Sequence, residues 1–451
     1  MNGETPTGSV SSSRIDSGVL RRILHGFGAN AYSQIVTIVI QLAGVPILLH
    51  AWGEQLYGEW LILAAIPTYL SMADLGFSQS AGNDMTARMG RGDTQGALAV
   101  FQSLAALVYG LAVAGLALVI LLVALLPLGH WLHLTSLSTS EVRWILWLLV
   151  AQVLVKLADG VNHAGFRANG DYALHVQINA NTLLVQQVGM WGLALSGCGL
   201  LVAAAWFVGV WLVATPAVAL LLFRRHPVLR PGFVNARLAH LQGLLRPALA
   251  NLSLTLANAL SIQGMLLVVA AVMGPVAVVT YSVLRTLTRL VVQGIAAITH
   301  AMEPEVARAW GQGNSNLVRI LYLRGMGISL ALALGVGIAL YFLGGLVVAF
   351  WTHGKVVMNA GLFHWLLLAA FTTVLWQSAV SFLKALNRQV RVAMWFVIAS
   401  GAGLLLAYLL LRWTHDLAGV GMALVAVDIG VGVYALLLAN RLSGLHRSYA
   451  S

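Results

Sequence analysis

Residues 224–247 read RRHPVLRPGFVNARLAHLQGLLRP, the longest polar run in the chain. The run holds Arg224, Arg225, Arg230, Arg237 and Arg246, with Pro227, Pro231 and Pro247. On both sides of it the sequence is almost continuously apolar. Of the 451 residues, 59% are hydrophobic and 9% are charged, where a soluble domain carries about 25% charged residues. Such a chain cannot cover a water-facing surface. This excludes a soluble enzyme, a secreted domain and a disordered protein, and leaves a polytopic membrane protein. The single cysteine, Cys198, excludes an intrachain disulfide. The 46 glycines suit membrane helices, which approach one another closely through small residues.

Crossing a bilayer takes about 20 apolar residues. Twelve stretches meet that need, at 28–51, 57–83, 98–128, 142–165, 173–197, 199–223, 244–272, 276–302, 318–351, 360–383, 391–413 and 417–440. The third and ninth are longer than a bilayer requires and must tilt or protrude. The expected fold is all-α, with about twelve transmembrane helices. The basic run separates six spans from six. The expected divisions are a tail at 1–27, a bundle at 28–223, a linker at 224–243, a bundle at 244–440 and a tail at 441–451.

Basic residues orient the spans, because cytoplasmic loops retain Lys and Arg. With the N-terminus inside, only Arg143, Lys355 and Arg412 of the 25 Lys and Arg fall in outside loops. Lys156, Arg285 and Arg289 lie within spans, and all the others are inside. Both termini are therefore expected in the cytoplasm. The first 27 residues are Ser-rich, then basic, and lack the short apolar core of a signal peptide.

The halves share landmarks. Ala29-Asn30 recurs as Ala250-Asn251, offset by 221; Ala87-Arg88 recurs as Ala307-Arg308, offset by 220; Asn169 recurs as Asn387, offset by 218. Six is even, so such repeats run parallel, related by an axis along the membrane normal around a central cavity.

Ser71-Met72-Ala73-Asp74-Leu75-Gly76-Phe77 and then Arg88-Met89-Gly90-Arg91-Gly92-Asp93 resemble the end of the second helix, and the loop after it, in polysaccharide flippases. These are the O-antigen type members of the multidrug/oligosaccharidyl-lipid/polysaccharide exporter superfamily. Glu303-Pro304-Glu305 with Gly311-Gln312-Gly313-Asn314 is similar to that family's segment after the eighth helix, and Leu417 to Ala423 to its start of the twelfth. The resemblance implies a bacterial inner-membrane flippase for undecaprenyl-diphosphate-linked oligosaccharides, such as an O-antigen repeat unit. It would work by alternating access between two six-helix bundles. The expected partners are that lipid-linked glycan, membrane lipids and polysaccharide polymerase machinery; nucleic acid is not among them. The chain is expected to act as a monomer, without cofactor or metal.

A charged side chain at the membrane centre costs about 2.5–3.5 kcal/mol on insertion scales, so it faces the protein interior or a wet cavity. Arg285 and Arg289 are four apart, on one face of the eighth span, near mid-depth. They suit a cavity wall that holds the substrate diphosphate, since guanidinium pairs with phosphate oxygens in a two-pronged geometry. The alternative is an ion pair with Asp74, Asp159 or Asp428. Gln152, Lys156, Asp159 and His163 form one stripe on the fourth span. Lys156 either pairs with Asp159 or adds a cavity contact, and Asp159 with His163 is a candidate for carrying a coupling proton. Asp74, Asp159 and Asp428 are the coupling-ion candidates. Asn251 and Asn258 on the seventh span, with Asn30 and Gln41 on the first, offer amides for glycan contacts or for helix-to-helix hydrogen bonds.

Two rivals remain. A polymerase or glycosyltransferase would need a catalytic segment, yet the longest outside loop runs only from about Leu128 to Val142 and carries no carboxylate pair or metal-ligand cluster. An enzyme is therefore not expected. A cation-coupled multidrug exporter fits the length and span count, but lipophilic cations favour an acidic cavity, and the mid-membrane charge excess here is basic.

Overall fold

In lipid every backbone N–H and C=O must find its partner within the protein, which leaves an apolar chain of this kind the α-helix. The computed structural model describes residues 17–68, 76–125, 134–311, 315–385 and 390–442, and among them there are helices and no strands. In chain order the helices are α1 (Ser17–Thr68), α2 (Phe77–Gly90), α3 (Thr94–Leu125), α4 (Thr139–Ala168), α5 (Tyr172–Leu195) and α6 (Leu200–Arg225). The second half begins with α7 (Leu238–Ala259), which passes through a π turn (Leu260–Gly264) into α8 (Met265–Met273). Then come α9 (Pro275–Gly311), α10 (Ser315–Trp351), α11 (Ala360–Ala385), α12 (Val390–Thr414) and α13 (Ala418–Leu442).

Ten segments among the described residues are long and apolar enough to cross a membrane, so the chain is a multi-pass membrane protein. The first and second predicted spans are not separated by a loop. The first and the start of the second lie in α1, which breaks at Gly53, where φ is 72°. Only glycine takes that value without strain, so one residue turns the chain. The part of α1 after Gly53, together with α2, occupies the ends of the second predicted span. α6 runs to Arg225 and α7 starts at Leu238, so helix covers both ends of the 224–243 stretch read as a linker. α3 and α10 are 32 and 37 residues long. At 1.5 Å per residue they exceed a hydrocarbon core of about 30 Å.

The halves repeat their helix pairings. In the first, α1 packs on α5, α2 and α3 on α4, and α4 on α6; in the second, α7–α8 packs on α12, α9 and α10 on α11, and α11 on α13. Within α1 the part before Gly53 meets α5, since Tyr32 donates to Asn181 at 2.6 Å and Gly44 lies against the Trp191 ring. Apolar side chains along α10, such as Phe342 and Phe350, are exposed, as a lipid-facing surface requires.

The halves touch at the end that carries few basic residues, and α7 also contacts α2 and α3. A Cβ on Gly58 would run into the Pro275 carbonyl, so glycine permits α1 to touch the start of α9. Lys355 Nζ donates to the Leu49 carbonyl at 3.1 Å, and Trp351 Nε1 to the Leu42 carbonyl at 2.7 Å. Glu59, fully buried, accepts from the Thr135 and Ser136 amides at 2.9 and 2.8 Å and fixes the segment before α4. That helix opens with a capping box between Ser138 and Glu141. At the basic end the linker lies on α3: Gln102 donates to the Arg230 carbonyl, and the Asn235 and Arg237 amides donate to Gln102 and Ser103.

Candidate functional site

Residues four apart share a helix face. On α9 this places Tyr281, Arg285, Arg289 and Gln293 in one row. Arg285 and Arg289 line two cavities at once. One, of about 360 Å³, lies between the halves, with Gln41, Tyr57 and Leu61 of α1 facing Gln263 and the arginines. The other, of about 250 Å³, lies within the second half, with Asn258, Trp376 and Asp428 on its walls. Ile262, in the π turn, belongs to both.

Among the described residues the arginines have a carbonyl and an aromatic ring for neighbours rather than a counter-anion. Arg285 Nη1 donates to the Ile262 carbonyl at 3.3 Å, and its guanidinium stands 5.7 Å from the centre of the Tyr281 ring. Carbonyl dipole and ring face each favour a cation. Among the described residues no carboxylate oxygen comes within 4.0 Å of either arginine. The ion pair with Asp159 or Asp428, left open above, is not formed. Two like charges on adjacent turns therefore share a wettable wall, which is the electrostatic arrangement for an anion.

Asp428 is buried on the wall of the smaller cavity, with three neutral donors: Thr373 Oγ1 at 2.6 Å, Trp376 Nε1 at 2.8 Å and Thr372 Oγ1 at 3.0 Å, all from α11. Asp159 is buried in the other half. It accepts from Asn162 at 3.0 Å and meets His175 Nε2 at 3.1 Å. It does not pair with Lys156, whose ammonium lies 5.1 Å from the Trp211 ring centre. The spacing on α4 favoured that pair, but His175 from α5 takes the carboxylate instead.

Of the residues marked from sequence, Arg285, Arg289, Gln41 and Asn258 converge on the two cavities. Asn30 accepts from Tyr172 at 3.1 Å and, like Lys156, lines neither cavity. The side chain of Asn251, and all of Asp74, lie outside the described residues. The sequence reading missed Gln293, although it continues the 285/289 row, and it missed Thr372, Thr373 and Trp376, which form a row on α11. It also passed over His175 and Glu59.

No family model matches the chain, and no curated protein does. Solved structures do. An inward-facing multidrug resistance MATE family transporter of the MOP superfamily superposes with a TM-score of 0.68 at 16% identity, over 92% of this chain and 95% of that one. The MATE multidrug transporter DinF-BH gives 0.68 at 15%, over 95% and 97%. Lipid II flippase MurJ, in an inward closed conformation, gives 0.68 at 12%, over 93% and 87%. The chain has the fold of these transporters, a fold shared by drug exporters and a lipid flippase.

Proposed function

We propose that the protein is a flippase for undecaprenyl-diphosphate-linked oligosaccharides, carrying them from the cytoplasmic to the periplasmic leaflet of a bacterial inner membrane. The observation behind this reading is the Arg285–Arg289 pair, common to two cavities and, among the described residues, without a carboxylate within 4.0 Å. Burying two unpaired cations costs roughly 5–7 kcal/mol on insertion scales, and a diphosphate offsets that cost with two-pronged hydrogen bonds. Gln41 and Asn258 offer amides to the first sugars.

In this reading the bundles at 28–223 and 244–440 rock about the linker at 224–243, with both termini in the cytoplasm. The seam at Gly58, Pro275 and Lys355 is then the closed periplasmic end, and the protein works as a monomer beside polymerase machinery. A negative cell interior favours the export of an anion by about 2.3 kcal/mol per charge at 100 mV. The second reading is a multidrug exporter, favoured by the Asp428 carboxylate in the smaller cavity. Complementation of a flippase-deficient strain, scored by surface polysaccharide, tests the first reading, with drug resistance measured in the same cells. Restored polysaccharide that is lost with Arg285→Ala at normal membrane levels supports the flippase. Resistance to lipophilic cations without restored polysaccharide supports the exporter.

A further inference from the structure

The first half holds a chain of titratable groups that the arginine site does not use. Asp159 Oδ2 meets His175 Nε2 at 3.1 Å, and His175 Nδ1 meets His163 Nδ1 at 3.2 Å. Asp159 and His175 are 4% and 3% exposed, whereas His163 is half-exposed. The chain thus runs from a partly exposed imidazole to a buried carboxylate.

Proton positions follow from the contacts. A carboxylate only accepts, so His175 Nε2 carries hydrogen. Two bare ring nitrogens at 3.2 Å would repel, so one hydrogen sits between the two Nδ1 atoms. With both rings neutral, that hydrogen belongs to His163, and His163 Nε2 is left bare.

We propose that His163, His175 and Asp159 form a proton-loading site, in which His163 takes up a proton and His175 holds it against the Asp159 carboxylate. The step balances. Hydronium gives a proton to His163 Nε2 and leaves water. The Nδ1 hydrogen of His163 passes to His175 Nδ1. His163 ends neutral in the opposite tautomer, and His175 becomes an imidazolium whose Nε2 hydrogen faces Asp159 Oδ2. Asn162 links this event to packing, because its amide bridges Asp159 Oδ1 and the Thr215 carbonyl of α6, at 3.0 and 3.2 Å. The site therefore couples protonation to the α4–α6 contact.

The surrounding charges suit this role. α4 contributes Lys156 and, over the Tyr172 ring, Arg167. α3 contributes Tyr109, and α5 contributes Tyr172, whose ring stands edge-on to His163, and the Asn179 amide. On α2, Asp84 is engaged by Arg88 at 2.9 Å. His226, beside Phe166, is engaged by Asp171 at 3.0 Å. Asp159 is then the nearest unneutralised anion to the imidazoles.

The test needs no cargo. The full chain, carrying ¹⁵N-histidine in lipid nanodiscs, is titrated by NMR as wild type, Asp159→Asn and His163→Gln. In the wild type His163 should show the Nδ1–H tautomer and His175 the Nε2–H tautomer. In Asp159→Asn the histidine pair should need a pH about 1–3 units lower to take up its proton, the usual effect of removing a contacting opposite charge. In His163→Gln, exchange of the His175 ring hydrogen with D₂O should slow at least about tenfold. His163 is half-exposed, so this variant keeps the test available should Asp159→Asn fail to fold. Independent titration of the two histidines, unmoved by Asp159→Asn, or unchanged His175 exchange in His163→Gln, would overturn the proposal.

Discussion

The two halves pair their helices in the same pattern and each buries a carboxylate among hydrogen-bond donors, but they place their cations differently. In the first half, Asp159 is enclosed by His175, Asn162 and Asn179, and the nearby cation, Lys156, rests on an indole face. In the second, the charges that matter are cations, set on cavity walls with a carbonyl and an aromatic ring for company. A buried polar network that is satisfied holds its elements in register. A buried charge that lacks its counter-ion is held at a cost, and that cost falls when a ligand of opposite charge arrives. Equivalent helix packing in the two halves thus leaves room for different duties, and the proposed function places ligand capture in the second.

The largest effect should come from removing the cations. Arg285→Ala together with Arg289→Ala should lower export at least about 100-fold, since a hydrogen bond to a charged group contributes about 1.5–3 kcal/mol and 1.4 kcal/mol is tenfold. Thermal stability should hold or rise, because a repulsive pair is gone. Lysine at either position should restore part of the export, as it keeps charge and loses the fork. A double variant that exports normally would erase the contrast between the halves.

Asp428 comes next. Asp428→Ala leaves Trp376 Nε1 and Thr373 Oγ1 without their acceptor, which should cost about 1–3 kcal/mol and several degrees of Tm by differential scanning fluorimetry. The single hydroxyl hydrogen of Thr372 can turn to the Leu368 or Ala369 carbonyl instead, so Thr372 loses less. Asp428→Asn keeps an acceptor and should lose under half as much. Equal losses would show that the negative charge, rather than hydrogen bonding, fixes α11 to α13.

A smaller effect should appear where the halves touch. Gly58→Ala pushes a methyl group into the Pro275 carbonyl and should loosen that end. Lys355, now bonded to Leu49, should then react several-fold faster with an impermeant amine reagent, read by mass spectrometry. Unchanged labelling would place the seam elsewhere.

The smallest effect concerns the α2–α3 turn, outside the membrane. The Gly96 amide and then Arg88 hold the Asp93 carboxyl below its ordinary range. A lowered folded value means that its contribution is complete above the ordinary carboxylate range and is lost as pH falls through the lowered value. Between about pH 5 and 8 the melting temperature of Asp93→Asn should therefore track that of the wild type with a small, constant offset. An offset that varies across this window would contradict the assignment.

Much of the fold was legible, because the length and apolar character of a span are properties of the chain itself. The break at Gly53 was not, since one left-handed residue replaces a loop and leaves no polar run. Arg285 and Arg289 could be read because charge at i and i+4 in an apolar helix has few explanations. The partners of Asp428 come from α11 and the partner of Asp159 from α5, and neighbours across helices have no signature in local spacing. Lys156 and Asp159 show the hazard. Their three-residue spacing suggested a pair, yet an imidazole from the next helix engages the carboxylate and an indole from α6 engages the ammonium. Glu59 was passed over in sequence, since the Thr135 and Ser136 amides that hold it come from the distant segment before α4.

Whether the arginine pair binds an anionic lipid diphosphate is decided by titrating purified protein in nanodiscs with undecaprenyl diphosphate. Isothermal calorimetry would compare the wild type with the Arg285→Ala/Arg289→Ala variant. Saturable binding by the wild type, weakened at least about 100-fold in the variant, is the predicted result. Equal affinity in the two proteins would contradict it.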